Sequence, residues 1–132
     1  MRLVIHSIKN NRGQSLVEFA LIAPLLILLL MGIMECGRIF NQTLVVTAAA
    51  REGARSAAVG GSDVTVLGTV NQAVASIGTT NLTVVVTPSA RVSGQNVTVT
   101  VTKPITIVTP VISQFFKSAT YNATGTAVMR VE

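Results

Sequence analysis

The chain has 132 residues, 49% hydrophobic and 11% charged, with one Cys, one His, one Tyr, no Trp and a formal net charge of +5. A single cysteine excludes an internal disulfide framework, and one Cys with one His excludes a zinc cluster built from this chain. The positive balance invites a nucleic-acid or anionic-surface partner, but no Lys/Arg stripe interleaved with aromatics follows it, which argues against nucleic acid.

The first segment carries Arg2, Lys9 and Arg12 and no acid. From Leu16 to Met34 the chain then runs through seven Leu, three Ile, one Val and one Phe. As an α-helix this run is about 28 Å long, close to the hydrocarbon thickness of a bilayer. Its large apolar side chains favour insertion by roughly 4–7 kcal/mol, against about 2.5–3.5 kcal/mol for a central acidic residue and less near an end. Glu18 lies near an end, so the span inserts despite its carboxylate, and ionisable groups in such a place are usually functional. A glutamate snorkelling to the headgroups is the plainer alternative. Basic residues before the run favour a cytoplasmic start and an outward-facing remainder.

Pro24 removes a backbone donor and is expected to kink the membrane half, a bend that either aids packing with neighbouring helices or is merely tolerated. The helix is expected to continue past the membrane, because residues 35–59 hold no proline and alanine dominates from Ala48 onward. Ile39, Val46, Ala50, Gly53, Ala54 and Ala57 share one face at 3/4 spacing. Glu35–Arg38 and Glu52–Arg55 are spaced to pair along the surface. Gly53 within a helix suggests close approach of the sheet, a packing role. Gly60-Gly61 ends the element, giving one helix over residues 14–59, about 69 Å long.

Ser62 and Asp63 suit the start of a second helix, striped by Val66, Val70, Ala73, Val74 and Ile77 and stopped by Gly78. Strands follow. Leu82 to Thr87 is β-rich, Ser93-Gly94 marks a turn, and Asn96 to Thr102 alternates, with Val97, Val99 and Val101 on one face. Pro104 and Pro110 should confine the next Ile-Thr-Ile-Val stretch to an edge or a bulge. Phe115 and Phe116 are expected to plug the core, and Tyr121 to Val131 alternates with Ala127, Met129 and Val131 inward. The fold class is α+β: a long membrane and stalk helix, a short second helix, and three or four antiparallel strands, the outer domain spanning 60–132.

Processing decides what remains of the basic start. Met34-Glu35-Cys36 offers no small-residue site for a general signal peptidase after the apolar run. A cut before the run, between Gly13 and Gln14, fits better. A basic leader, Gly13, Glu18 five residues on, and an apolar helix resemble the class III signal of type IV pilins and pseudopilins. Val17-Glu18-Phe19-Ala20-Leu21-Ile22-Ala23-Pro24, Glu35-Cys36-Gly37-Arg38 and the block Arg51-Glu52-Gly53-Ala54-Arg55 resemble the TadE-like family, the minor pilins or pseudopilins of tight-adherence, Flp-type pili. The closing Thr126–Glu132 segment is similar to that family's end.

The resemblance implies a prepilin peptidase cutting after Gly13, removing residues 1–13 and lowering the side-chain charge from +5 to +2 as Arg2, Lys9 and Arg12 depart. It implies that Glu18 pairs with an α-amino group of its own or a neighbouring chain, and that partners are other pilin subunits, the pilus assembly platform and membrane lipids. His6 would leave with the leader, so no triad or Cys-His pair remains, and the acids of the outer domain are scattered. Neither enzymatic activity nor a cofactor or metal is expected. Asn41, Asn81, Asn96 and Asn122 match a glycosylation pattern that Thr-rich strands also produce. Cys36 reads as a small packing residue at the membrane edge or an intermolecular crosslink. The alternatives are an unprocessed single-pass envelope protein with an outward binding module, or the major filament subunit.

Overall fold

The computed structural model describes residues 11–109, 114 and 119–132, with side chains from residue 13 onward. Arg2, His6, Lys9, Pro110, Phe115 and Phe116 lie outside the described residues, as does the side chain of Arg12. The elements are α1 (Asn11–Ala58), α2 (Asp63–Ala73), a 3-10 turn (Ala75–Ile77), β1 (Thr83–Thr87), β2 (Asn96–Thr106) and β3 (Thr120–Arg130). The fold is α+β: α1 of 48 residues, about 72 Å, and α2 lie against a three-stranded antiparallel meander ordered β1-β2-β3.

Small residues and caps set the helix ends. Gly60 adopts a positive φ of 84°, and the amides of Gly60 and Gly61 bond back to the carbonyls of Ala57 and Ser56. That pair of bonds satisfies two terminal carbonyls of α1 in a Schellman turn, for which glycine is the natural residue. The Ser62 hydroxyl then accepts the Thr65 amide at the start of α2. Arg91, from the β1–β2 connection, pairs with Asp63 on the first turn of α2.

The core lies between the helices and one face of the sheet. Val46, Ala49, Ala50, Ala54 and Ala57 of α1 meet Val66 and Val70 of α2, Val97, Val99, Val101 and Ile105 of β2, and Ala123 of β3. Gly53 and Gly125 set the closest approaches. A β-carbon at Gly125 would lie 2.7 Å from the Thr47 Cα and the Val46 carbonyl oxygen, so β3 rests on the helix backbone itself. One at Gly53 would lie 2.7 Å from Val70 Cγ2 and 3.2 Å from Val99 Cγ1. The close approach expected of Gly53 is thus shared by α2 and the sheet.

β2 runs further than its alternating Val-Thr part. It continues through Lys103 and Pro104 to Thr106, pairing with β3 up to Thr106↔Thr120, while β1 stops at Thr83↔Thr102. Beyond Thr102 the strand has a neighbour on one side only, and a proline is accommodated there. The start of the stretch expected at an edge or a bulge is therefore the tail of β2, where that strand has lost β1 and is itself an edge. Lys103 falls on its inward face, buried, and its ammonium donates to the Thr80 carbonyl at 3.1 Å. The opposite face carries a threonine array, with Thr100 paired to Thr126 and Thr102 to Thr124 through their hydroxyls. Ala127 and Met129 of β3 are half-buried and Val131, just past its end, is buried, as their alternation implies.

Candidate functional site

α1 changes character at Glu35. Among the described side chains from Gly13 to Met34 none is buried: Leu16, Leu25, Leu29 and Ile33 all stand exposed. By length and composition this is the one helix among the described residues capable of crossing a membrane, which supports single-pass anchoring. The helix passes Pro24 without a break. The missing Pro24 donor leaves the Ala20 carbonyl without its usual intrahelical partner, a need that local adjustment or a neighbouring helix can meet in a bilayer.

At the start of the helix, Gly13 has open space on its Cα, and the Gln14 side-chain amide donates to Glu18 at 3.2 Å. Glu18 itself is exposed. At the other end, Arg51, Glu52 and Arg55 point outward while Gly53 and Ala54 point into the core. Arg55 Nε lies 3.6 Å from Glu52 Oε2. Together with Ser56, Val59, Thr69 and Glu132 the pair lines a groove of about 530 Å³ at the far end of the domain. The two sets of residues are separated by 34 helical positions from Glu18 to Glu52, about 51 Å, and form two surfaces on one rod.

Between them lies a cluster only half visible in the sequence. Glu35, one residue beyond the apolar run, is buried under the end of the sheet. Arg38 donates to its carboxylate and also to the Thr106 carbonyl, and Thr109 Oγ1 donates to the other carboxylate oxygen at 3.2 Å. The Val108 amide contributes a further hydrogen bond. The Arg38 hydrogen bond, opposed by burial and reinforced by its charge, by Thr109 and by Val108, holds the Glu35 carboxyl below the usual carboxylate range. The spacing of Glu35 and Arg38 announces their pair; Thr109, 74 residues away, gives no such signal. Cys36, next to Glu35, is an exposed free thiol. Among the described residues no group of three or more His, Cys, Asp or Glu is placed to hold a metal ion.

A helix that is bare for its first half and closely packed for its second is the anchor-and-stalk arrangement that the motifs imply. Residues 13–55 match the family model of TadE-like proteins. No curated protein and no solved structure matches the chain. The TadE-like segment begins at the glycine of the Gly13–Glu18 spacing and ends at the last arginine of the Arg-Glu-Gly-Ala-Arg block. It holds Gly13, Gln14, Glu18, Pro24, Arg51, Glu52, Gly53 and Arg55, while α2 and the sheet lie beyond it. The likeness to TadE-like proteins is therefore confined to the helix, over residues 13–55.

Proposed function

We propose that the chain is a membrane-anchored minor pilin or pseudopilin of a tight-adherence pilus, without enzymatic activity, cut after Gly13 by a prepilin peptidase. The observation that carries this is the TadE-like match starting at Gly13 and running along the helix whose first half buries no described side chain. The leader faces the cytoplasm and the sheet domain faces outward, following the basic residues before the span. Residues 16–34 pass from lipid into contact with other pilin subunits and the assembly platform as the pilus forms.

Glu18 has a specific part in this. Cleavage turns Gln14 into an amino terminus one helical turn from Glu18, and their side chains are already within hydrogen-bond reach. An α-amino group, on the same or a neighbouring chain, then offsets the cost of a carboxylate in the apolar layer, provided the two meet in good geometry. Pro24 supplies local adaptability during packing. The sheet domain, large for a main filament subunit, favours a minor role, capping the assembly or contacting other minor pilins.

The test is intact mass and amino-terminal sequencing of membrane-extracted protein, with and without the cognate prepilin peptidase. A peptidase-dependent start at Gln14 is expected. A Met1 start under both conditions would leave an unprocessed single-pass anchor with an outward module. Abundance in sheared filaments separates a minor from a major subunit.

A further inference from the structure

The end of the sheet nearest the membrane carries an exposed valine that its own contacts fix in place. Val108 lies two residues past the end of β2 and is 71% exposed, beside Met34 at 75% and Met31 at 48%. With Glu35, Arg38 and Thr109 these three line a groove of about 320 Å³ whose surface is largely apolar. Single exposed apolar residues are ordinary on protein surfaces. This one is different because Met31 and Met34 belong to the last turn of the run that spans the bilayer.

The depth of Val108 is not independent of the helix. Arg38 donates to the Thr106 carbonyl, Thr109 Oγ1 to Glu35, and the Ile107 amide to the carbonyl of Ala119, just before β3. These bonds hold both sides of Val108, so an insertion that carries Met31 and Met34 to the hydrocarbon edge carries Val108 to the same level. The charged cluster behind it is compatible with that level. Glu35 is covered and has donors from Arg38 and Thr109, so it does not face lipid as a bare carboxylate.

We propose that the rim of the sheet at Val108 is a second membrane contact, seated among lipid acyl chains and headgroups beside Met31 and Met34. The occupant of the groove is bilayer lipid, because the groove is continuous with the lipid-facing surface of residues 16–34. The outer domain then rests on the membrane surface and is held at two points, which restricts tilting about Glu35. This inference rests on the transmembrane reading of residues 16–34 and goes beyond it to the domain's position.

Depth measurements on the full chain in phosphatidylcholine–phosphatidylglycerol vesicles test it. In a Cys36→Ser background, a nitroxide is attached at one of three sites by Leu25→Cys, Val108→Cys or Val85→Cys. Leu25 is mid-span, and Val85 lies exposed on the outer face of the sheet. Accessibility to oxygen, which partitions into lipid, is compared with accessibility to a water-soluble nickel chelate. The expected oxygen-to-nickel ratio at 108 is severalfold above that at 85 and approaches that at 25. A ratio at 108 equal to that at 85, with 25 still nickel-protected, would overturn the second contact while leaving the anchor intact. Exclusion of both reagents at 108 would assign the groove to another protein chain and overturn the lipid occupant. Nickel access at 25 would remove the transmembrane reading and the proposal with it.

Discussion

Residues 13–34 and 35–58 belong to one unbroken helix, yet their side chains meet different surroundings. The first stretch presents large aliphatic side chains around its whole circumference, and no described side chain in it is buried. The second buries one face through Val46, Ala49, Ala50, Gly53, Ala54 and Ala57 and leaves Arg51, Glu52 and Arg55 outside. Hydropathy separates them, since residues 13–34 carry one charged side chain, Glu18, whereas residues 35–58 carry Glu35, Arg38, Arg51, Glu52 and Arg55. Side-chain size and periodicity separate them further. Leu and Ile on every face suit a solvent of lipid tails, whereas small residues on one face let a sheet and a second helix approach the backbone.

The comparison breaks most severely where the packed half has no space to give. Gly125→Val would drive a side chain into the backbone of α1 at Val46 and Thr47, which cannot rotate away as a side-chain tip can. The expected loss is about 3 kcal/mol, at the upper end for overpacking. Heat denaturation of the full chain in detergent, followed by the far-ultraviolet β-sheet signal, measures it. In the same assay Leu29→Ala, which removes an exposed side chain from the bare half, is expected to leave the transition unchanged. A Leu29→Ala loss comparable to that of Gly125→Val would abolish the distinction between the halves.

The joint between the halves comes next in size. Glu35→Gln keeps an acceptor for Thr109 but removes the charge that Arg38 meets, with an expected loss of about 1–3 kcal/mol. The native joint is also acid-sensitive. Because folding lowers the Glu35 pKa, the stabilisation is present above the ordinary carboxylate pKa. It fades as pH falls from there through the lowered folded value. Protection of the Ile107 and Val108 amides against hydrogen exchange, taken relative to the intrinsic rate at each pH, should fall in that window in the native protein, and Glu35→Gln should remove the acid-dependent part. An unchanged pH profile in the variant would show that another group governs the joint.

Much of this division is legible residue by residue. Gly60-Gly61, Ser62 and the Val97-Val99-Val101 alternation act through neighbours within a few positions, so a helix stop, a cap and a buried strand face can be read from spacing alone. The Gly13–Glu18 spacing and the Arg51–Arg55 block are legible for the same reason, although the structure leaves them about 51 Å apart. Contacts made across the fold are less accessible. The extension of β2 through Pro104 depends on β1 beginning only at Thr83, opposite Thr102, and the burial of Lys103 depends on the Thr80 carbonyl lying within reach. Glu35 and Arg38 suggest a surface pair until the sheet brings Thr106 and Thr109 over them. Gly125 did carry a signal, since glycine inside an alternating strand often marks close backbone approach.

Gly53→Ala gives a smaller effect because two contributions oppose each other. Alanine improves helix propensity by about 1 kcal/mol, but its methyl group meets Val70 Cγ2 at 2.7 Å and Val99 Cγ1 at 3.2 Å. Those contacts are side-chain tips, which can shift more readily than the backbone under Gly125. A net loss of about 1 kcal/mol is expected, measured by the same denaturation. A net gain would mean that Gly53 is not required for packing and would turn attention to a role in assembly.

The smallest effect on stability is expected from Arg55→Ala, and it separates folding from assembly most cleanly. Arg55 and Glu52 are both exposed, 3.6 Å apart, and an exposed pair of this kind contributes about 0–1 kcal/mol. Denaturation of the variant should therefore remain close to that of the native chain. The residue nevertheless ends the TadE-like segment and lines the groove with Glu132 and Thr69. If the block contacts another pilus subunit, Arg55→Ala should be processed and membrane-inserted as usual while its recovery in sheared pili falls severalfold. Normal recovery with normal stability would exclude an essential assembly contact through this arginine. A large stability loss would instead place its contribution within the fold, despite its exposed position.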